Sequence, residues 1–211
     1  MREPRSGQSS IPLPGHWVGE RARCLETGAA TLARYVQLQS GRFPELEDVI
    51  PADGSLLLVF RRGARPSDAL RAALEEPVVA AGDAESITHT LVVRYGGEAG
   101  PDLARLAAQA GLDNARYVEC HCAATYTVAF LGFQPGFPYL HGLPTALHAA
   151  RRATPRVRVP AGSVAIGGAY TGIYPASSAG GWHVIGQTTV TIFDPARRVP
   201  ALMLPGDRVK F

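Results

Sequence analysis

The residues that could do chemistry concentrate in one interval of this chain. Between Glu119 and Asp194 there is no Asp or Glu, yet the interval holds Arg151, Arg152, Arg156, Arg158, His121, His141, His148 and His183. A pair of carboxylates working as acid and base cannot come from it. It offers instead positive potential and backbone donors, which suit an anionic ligand. The competing reading is a solvated surface that compositional drift has emptied of acids. Cys120-His121-Cys122 resembles a metal clip, but one His between two Cys gives poor tetrahedral geometry, and no second Cys/His pair completes four ligands. With Val118 before it and Thr125 to Leu131 after it, this segment reads as a strand that points His121 away from both cysteines. The expectation is buried thiols and no metal.

Four further pieces carry Gly, Pro and aromatic residues in dense order. Gly132 to Leu140 (GFQPGFPYL) is a loop in which glycine opens backbone angles and proline stiffens the chain. Its aromatics either line a pocket or plug the end of a barrel. Thr154 to Pro160 (TPRVRVP) alternates, so Arg156 and Arg158 should share one face while Val157 and Val159 face inward. Pro160 to Gly168 is a turn feeding a strand; Ser163 lacks the G-x-S-x-G context of a nucleophile and reads as a hydrogen-bonding or turn residue. Thr171 to Pro175 leads to Gly180-Gly181-Trp182-His183, where paired glycines permit close backbone approach. The glycine spacing matches neither a Walker A loop nor a dinucleotide fingerprint.

The elements that must position these residues fall into two textures. Up to Arg94 the order is strand (Arg21 to Glu26), helix (Ala29 to Gln39), strands (Leu46 to Ile50, Ser55 to Phe60), helix (Pro66 to Glu75, capped by Ser67 or Asp68) and strand (Thr88 to Arg94). That βαββαβ order is the ferredoxin-like split arrangement. Gly96-Gly97-Glu98 marks a boundary, and a helix from Asp102 to Ala110 follows, with Asp102 as its cap and Gly111 as its stop. From Tyr117 onward, short apolar runs broken by Gly and Pro indicate a closed or sandwiched β architecture. The fold class is α+β, with residues 1–15 a flexible lead-in, 16–95 the first domain and 96–211 the second.

Composition narrows the function classes. The chain has 211 residues, 46% hydrophobic and 18% charged, with a net charge of +3. Its basic residues are scattered Arg with one Lys, Lys210, rather than the patch with interleaved aromatics of a nucleic-acid binder. No apolar run approaches the ~20 residues of a membrane span. The polar start, Met1 to Pro14, has no secretory h-region, so the expected address is cytoplasmic. Three cysteines make no disulfide framework.

The pieces GFQPGFPYL, TPRVRVPAGSVAIGG, TGIYP, GGWHVIG and PGDRVKF occur in the order of the family of 5-oxoprolinase B subunits and KipI (allophanate hydrolase subunit 1), which this chain resembles. YGGEAGPDLARLAAQAGL resembles that family's domain junction, and GERARCLETG is a fainter echo of its opening strand. The resemblance implies a ferredoxin-like domain followed by a cyclophilin-like β-barrel. It implies C-type and A-type 5-oxoprolinase proteins as partners, with which such proteins cleave 5-oxoproline to glutamate using ATP bound at the level of the complex. The chain departs from the family in having Ala179 before Gly180, and Gln187 and Thr189 where an Arg and a Pro are common. A small anionic substrate would meet His121, Arg156 and His183 as polar contacts. Phe137, Tyr139, Tyr174 and Trp182 would shape the pocket, with Ser163 as a hydrogen-bonding neighbour. Catalytic residues are not assigned; Glu119 and Asp207 are the nearest local carboxylates, with Asp207 read as a turn cap. Two other functions are open to the family: a KipI-like inhibitor of a sensor histidine kinase, and a component of a urea/allophanate carboxyltransferase-type enzyme.

Overall fold

Alternation of apolar and polar residues builds the first sheet of the computed structural model, which describes residues 13–78 and 86–211. The chain forms two compact units, the second taking residues 51–53 and 82–211. In the first, β1 (His16–Val18), β2 (Ala22–Glu26), β3 (Leu46–Ala52) and β4 (Ser55–Phe60) form one sheet in the order β1-β2-β4-β3. Leu56, Leu58 and Phe60 of β4 are buried at every second position, as a strand with one covered face requires. They pack with Leu25, Leu38, Leu70 and Leu74, which brings α1 (Thr31–Ser40) and α2 (Asp68–Glu75) onto that core. Of the two residues expected to cap α2, Ser67 does so, its Oγ accepting from the Leu70 N–H at 3.1 Å.

The strand expected from Thr88 to Arg94 does not join this sheet. Its parts, β5 (Thr88–Thr90) and β6 (Arg94–Tyr95), belong to the second unit, and β1 takes the edge of the first sheet instead. Strand pairing is non-local, and a segment this short has too little apolar pattern to select its sheet; buried Leu91 commits it to the second core.

That core lies under an eight-stranded curled half-barrel. Besides β5 and β6 it contains β7 (Tyr126–Leu131), β8 (Pro138–His141), β10 (Ser163–Gly167), β11 (Tyr170–Ile173), β13 (His183–Gln187) and β14 (Arg208–Lys210). The order is β5-β14-β7-β8-β11-β10-β13-β6. β9 (Arg156–Val159) and β12 (Ser178–Gly180) form a separate ribbon. Val128, Leu140, Ile166, Ile173, Ile185 and Val209 fill the interior with residues from α3 (Leu103–Gln109) and α4 (Asn114–Ala123).

Two local features fix the site. A Cβ on Gly100 would stand 2.0 Å from the Ile185 carbonyl oxygen, so glycine alone lets this turn lie on β13. The Asp102 N–H then donates to the Val184 carbonyl at 3.0 Å, which seats Asp102 beside His183. Second, Cys120-His121-Cys122 lies in α4 rather than on a strand. Asp113 caps that helix by accepting from the Arg116 N–H, and Tyr117 and His121, four residues apart, form its buried face. The β-prone residues that suggest a strand begin only after Ala124.

Candidate functional site

Asp102 is the carboxylate that the acid-free interval lacks. It does not cap α3 with its side chain, as expected, but is buried and saturated with donors. Oδ2 accepts from Arg156 Nη1 at 2.8 Å and from the Val184 N–H at 2.8 Å. Oδ1 accepts from Arg156 Nη2 at 2.9 Å and from Arg152 Nη1 at 3.3 Å. Arg105 Nη2 lies 3.8 Å from Oδ1. Burial pushes this carboxyl's pKa up, but the Arg156 and Val184 hydrogen bonds and the surrounding positive charge outweigh it, leaving the group below its ordinary range. Arg156 is therefore held in a two-pronged internal ion pair.

The expected inward pairing of Val157 with Val159 is not found. Val159 is fully buried, whereas Val157 is 93% exposed. β9 pairs only with β12, and that ribbon has no second layer over residue 157. Arg158 donates from Nε to Ser177 Oγ at 3.0 Å, apart from the Asp102 cluster.

His183 has both ring nitrogens engaged. Nε2 donates to the Ala150 carbonyl at 2.7 Å, so Nδ1 carries the lone pair that accepts from Arg105 Nη2 at 2.6 Å. Its pKa is lowered, first by burial and then by the Arg105 and Arg152 charges, which keeps the ring neutral.

Next to His183, Trp182 enters an aromatic cluster. The Phe137 ring lies 5.2 Å from Tyr139, 5.1 Å from Tyr174 and 5.4 Å from Trp182, with steep interplanar angles in each pair. With Val159, Ala165 and Val184 these rings form a small core of their own. Gly167 is needed here, because a Cβ would come within 2.4 Å of the Trp182 indole. Ser163 opens β10, buried, with its carbonyl accepting from the Tyr174 N–H at 3.0 Å. Among the described residues no hydrogen bond joins it to a histidine.

His121 lies in the main core, away from this arrangement. Its Nδ1 meets Tyr95 Oη at 2.8 Å and its Nε2 meets Thr171 Oγ1 at 3.1 Å, while Thr171 donates to the Ala165 carbonyl. Burial lowers its pKa to about 3. Asp207 accepts from the Leu204 N–H at 2.8 Å and meets His89 Nε2 at 3.1 Å, so it closes a turn and ties β5 to β14. Glu119 is exposed and paired with Arg116. Among the described residues no group of three His, Cys, Asp or Glu side chains could hold a metal ion, and no helix is long and apolar enough to cross a membrane.

A cleft of about 400 Å³ opens beside this cluster, lined by Arg105, Gln109, His148, Arg151, Arg152 and His183 among others, with no carboxylate in its lining. Of the site residues expected from sequence, only His183 borders it. Arg105 and Gln109 escape a sequence reading because they sit on a helix whose pattern suggests packing; the signal available is Arg105 three residues after Asp102. Gln134 escapes it too. Its Oε1 is buried without a partner, and it follows Phe133, whose φ of 65° is the only positive value at a non-glycine among the described residues.

Residues 17–203 match the family described as carboxyltransferase domain, subdomain C and D. A Bacillus subtilis (strain 168) protein named as the B subunit of 5-oxoprolinase is 35% identical over 192 residues, covering 85% of this chain and 79% of its own. The chain belongs to this family. An Escherichia coli O157:H7 protein of the same name is 58% identical over 119 residues, which cover 56% of this chain but only 55% of that relative. The crystal structure of TTHA0988 superposes with a TM-score of 0.75 at 36% identity, over 91% of this chain and 39% of the other. The shared architecture is a mixed α/β one of carboxyltransferase type.

Proposed function

We propose that this chain is the B subunit of an ATP-dependent 5-oxoprolinase, which cleaves 5-oxoproline to glutamate together with A-type and C-type partner proteins. The observation that carries the reading is its 58% identity, over 119 residues, to a protein named as the B subunit of 5-oxoprolinase. The geometry is compatible with a share of a site rather than a whole one. Substrate and any phosphorylated intermediate are anions, and the cleft beside Asp102 is lined with guanidiniums and without carboxylates. The base that activates water would come from a partner, because the one carboxylate at the cluster is already saturated. ATP belongs to the complex.

In this reading the substrate-binding set divides by role. His183 borders the cleft, Arg156 holds Asp102, and Phe137, Tyr139, Tyr174 and Trp182 stiffen the wall behind them. His121 and Ser163 act from within the core as supports. In this reading the first unit is a variant of the ferredoxin-like lobe in which β1 stands where the strand expected at Thr88 to Arg94 would lie, the second is a cyclophilin-like barrel, and the protein is cytoplasmic.

The test is reconstitution: the chain alone, and with its A-type and C-type partners, is assayed for ATP-dependent glutamate formation from 5-oxoproline. The full set should be active and the single chain inactive. Activity of the single chain would refute its role as one part of a complex, and an inactive full set would refute the substrate. The carboxyltransferase description of the family favours one rival, a component of a urea/allophanate-type enzyme. Urea-dependent turnover with a biotin carboxylase partner would establish it instead.

A further inference from the structure

The same cluster holds more positive charge than it neutralises. Asp102 faces Arg105, Arg152 and Arg156, but its four close hydrogen bonds come from Arg156, Arg152 and the Val184 backbone. Arg105 and Arg152 both line the cleft, as does Arg151, which has no carboxylate partner among the described residues. Arg151 is nevertheless placed, its Cζ lying 5.8 Å from the centroid of the Trp182 ring. Arg105 is likewise held, between His183 Nδ1 at 2.6 Å and Gln109 Oε1 at 3.2 Å. A guanidinium held in one rotamer loses less freedom on binding an oxyanion than a free one. The volume, about 400 Å³, lies within the range of small-molecule sites.

We propose that the cleft between Arg105, Arg151 and Arg152 is a binding site for a small oxyanion, a carboxylate or a phosphoryl group, read by forked guanidinium contacts. His183 serves as a positioning residue: its neutral ring ties Arg105 to the Ala150 carbonyl and so fixes one side of the cleft. Arg156 takes both Asp102 oxygens in its two-pronged pair and Arg152 adds a single contact to Oδ1, so one carboxylate answers several guanidiniums and the cleft keeps a surplus of positive charge for the ligand. The identity of the natural oxyanion rests on the proposed function; the existence of the site does not.

The site is tested on the chain alone by titrating inorganic phosphate, 5-oxoproline, glutamate and neutral 2-pyrrolidinone while following backbone amide shifts. Saturable shifts at His148 to Ala153 and at Arg105 are expected with the anions and not with 2-pyrrolidinone. Preference for phosphate over 5-oxoproline would identify the phosphoryl group, and the reverse the carboxylate. Arg151→Ala, at an exposed position that should not affect folding, is expected to weaken binding about tenfold, the loss of one charge-assisted contact. Arg151→Lys should recover only part, and His183→Phe should weaken binding while the protein stays folded. Anion affinity unchanged in both Arg151→Ala and Arg105→Ala, or shifts equal for 2-pyrrolidinone and 5-oxoproline, would overturn the proposal. The reconstituted complex separates the two claims. Anion binding with no 5-oxoprolinase activity removes the functional reading and keeps the cleft; full activity of the complex with anion affinity unchanged in Arg151→Ala and Arg105→Ala removes the cleft and keeps the functional reading.

Discussion

Asp102 joins three guanidiniums and one backbone N–H, so its charge is shared by groups on four segments of the second unit. Asp102→Asn keeps the shape but turns an amide toward a guanidinium and leaves partly buried positive charge uncompensated. A loss of about 3 kcal/mol is expected, read from the urea midpoint at pH 7. The sign with pH follows from the lowered pKa. The carboxylate's contribution is full above its unfolded value of about 3.9 and fades as pH falls through the lower folded value. The gap between the two proteins should therefore close below about pH 4. His121 acts in a different window. Buried neutral with a pKa of about 3, it binds no proton where the unfolded chain does, so its contribution is full above about 6.5 and is lost as pH falls. His183 is shifted in the same direction. Between about pH 6.5 and 5, before most carboxylates titrate, stability should drop with acid. His121→Gln should flatten that slope by up to about 1.4 kcal/mol per pH unit. An unchanged slope would show that His121 is not buried as a neutral ring.

At the scale of elements, the density of glycine in the second unit serves the aromatic cluster. Gly167→Ala places a methyl against the Trp182 indole, and overpacking of about 1–3 kcal/mol is expected, with a change in Trp182 fluorescence. Much of this level is legible in the chain. The alternation of β4, the Ser67 cap and the helix beginning near Asp102 are local patterns with local causes. Sequence and structure part where partners are distant. Thr88 and Arg94 lie on strands whose neighbours are β14 and β13, and no pattern of their own selects those neighbours. His121 suggests a strand because Thr, Tyr and Val follow it, although the Asp113 cap already announces a helix. Val157 suggests an inward side chain because alternation is a rule for a covered sheet, and the two-stranded ribbon of β9 is covered at Val159 but not at Val157. The site is the least legible part. An interval without acids is visible in the letters, but the carboxylate that answers it stands 54 residues before Arg156.

For the whole molecule, the sheet of the second unit depends on its last strand. β14 pairs parallel with β5 and antiparallel with β7, Val209 is fully buried, and the Phe211 ring lies 4.7 Å from that of His121. Removing residues 208–211 should abolish cooperative unfolding of the second unit and raise binding of a hydrophobic dye. Amide protection on β4 should persist, because the first sheet contains neither β5 nor β14. The Ile87 N–H and Asp207 Oδ1 that meet beside this pairing are separated by 120 positions. On the ribosome the first sheet, made of segments close in sequence, can form early. The half-barrel cannot be completed until residues 208–210 leave the exit tunnel, and its apolar strands must wait uncovered until then. Until residues 208–210 pair, the second unit of a newly made chain should therefore stay open to proteases longer than the first.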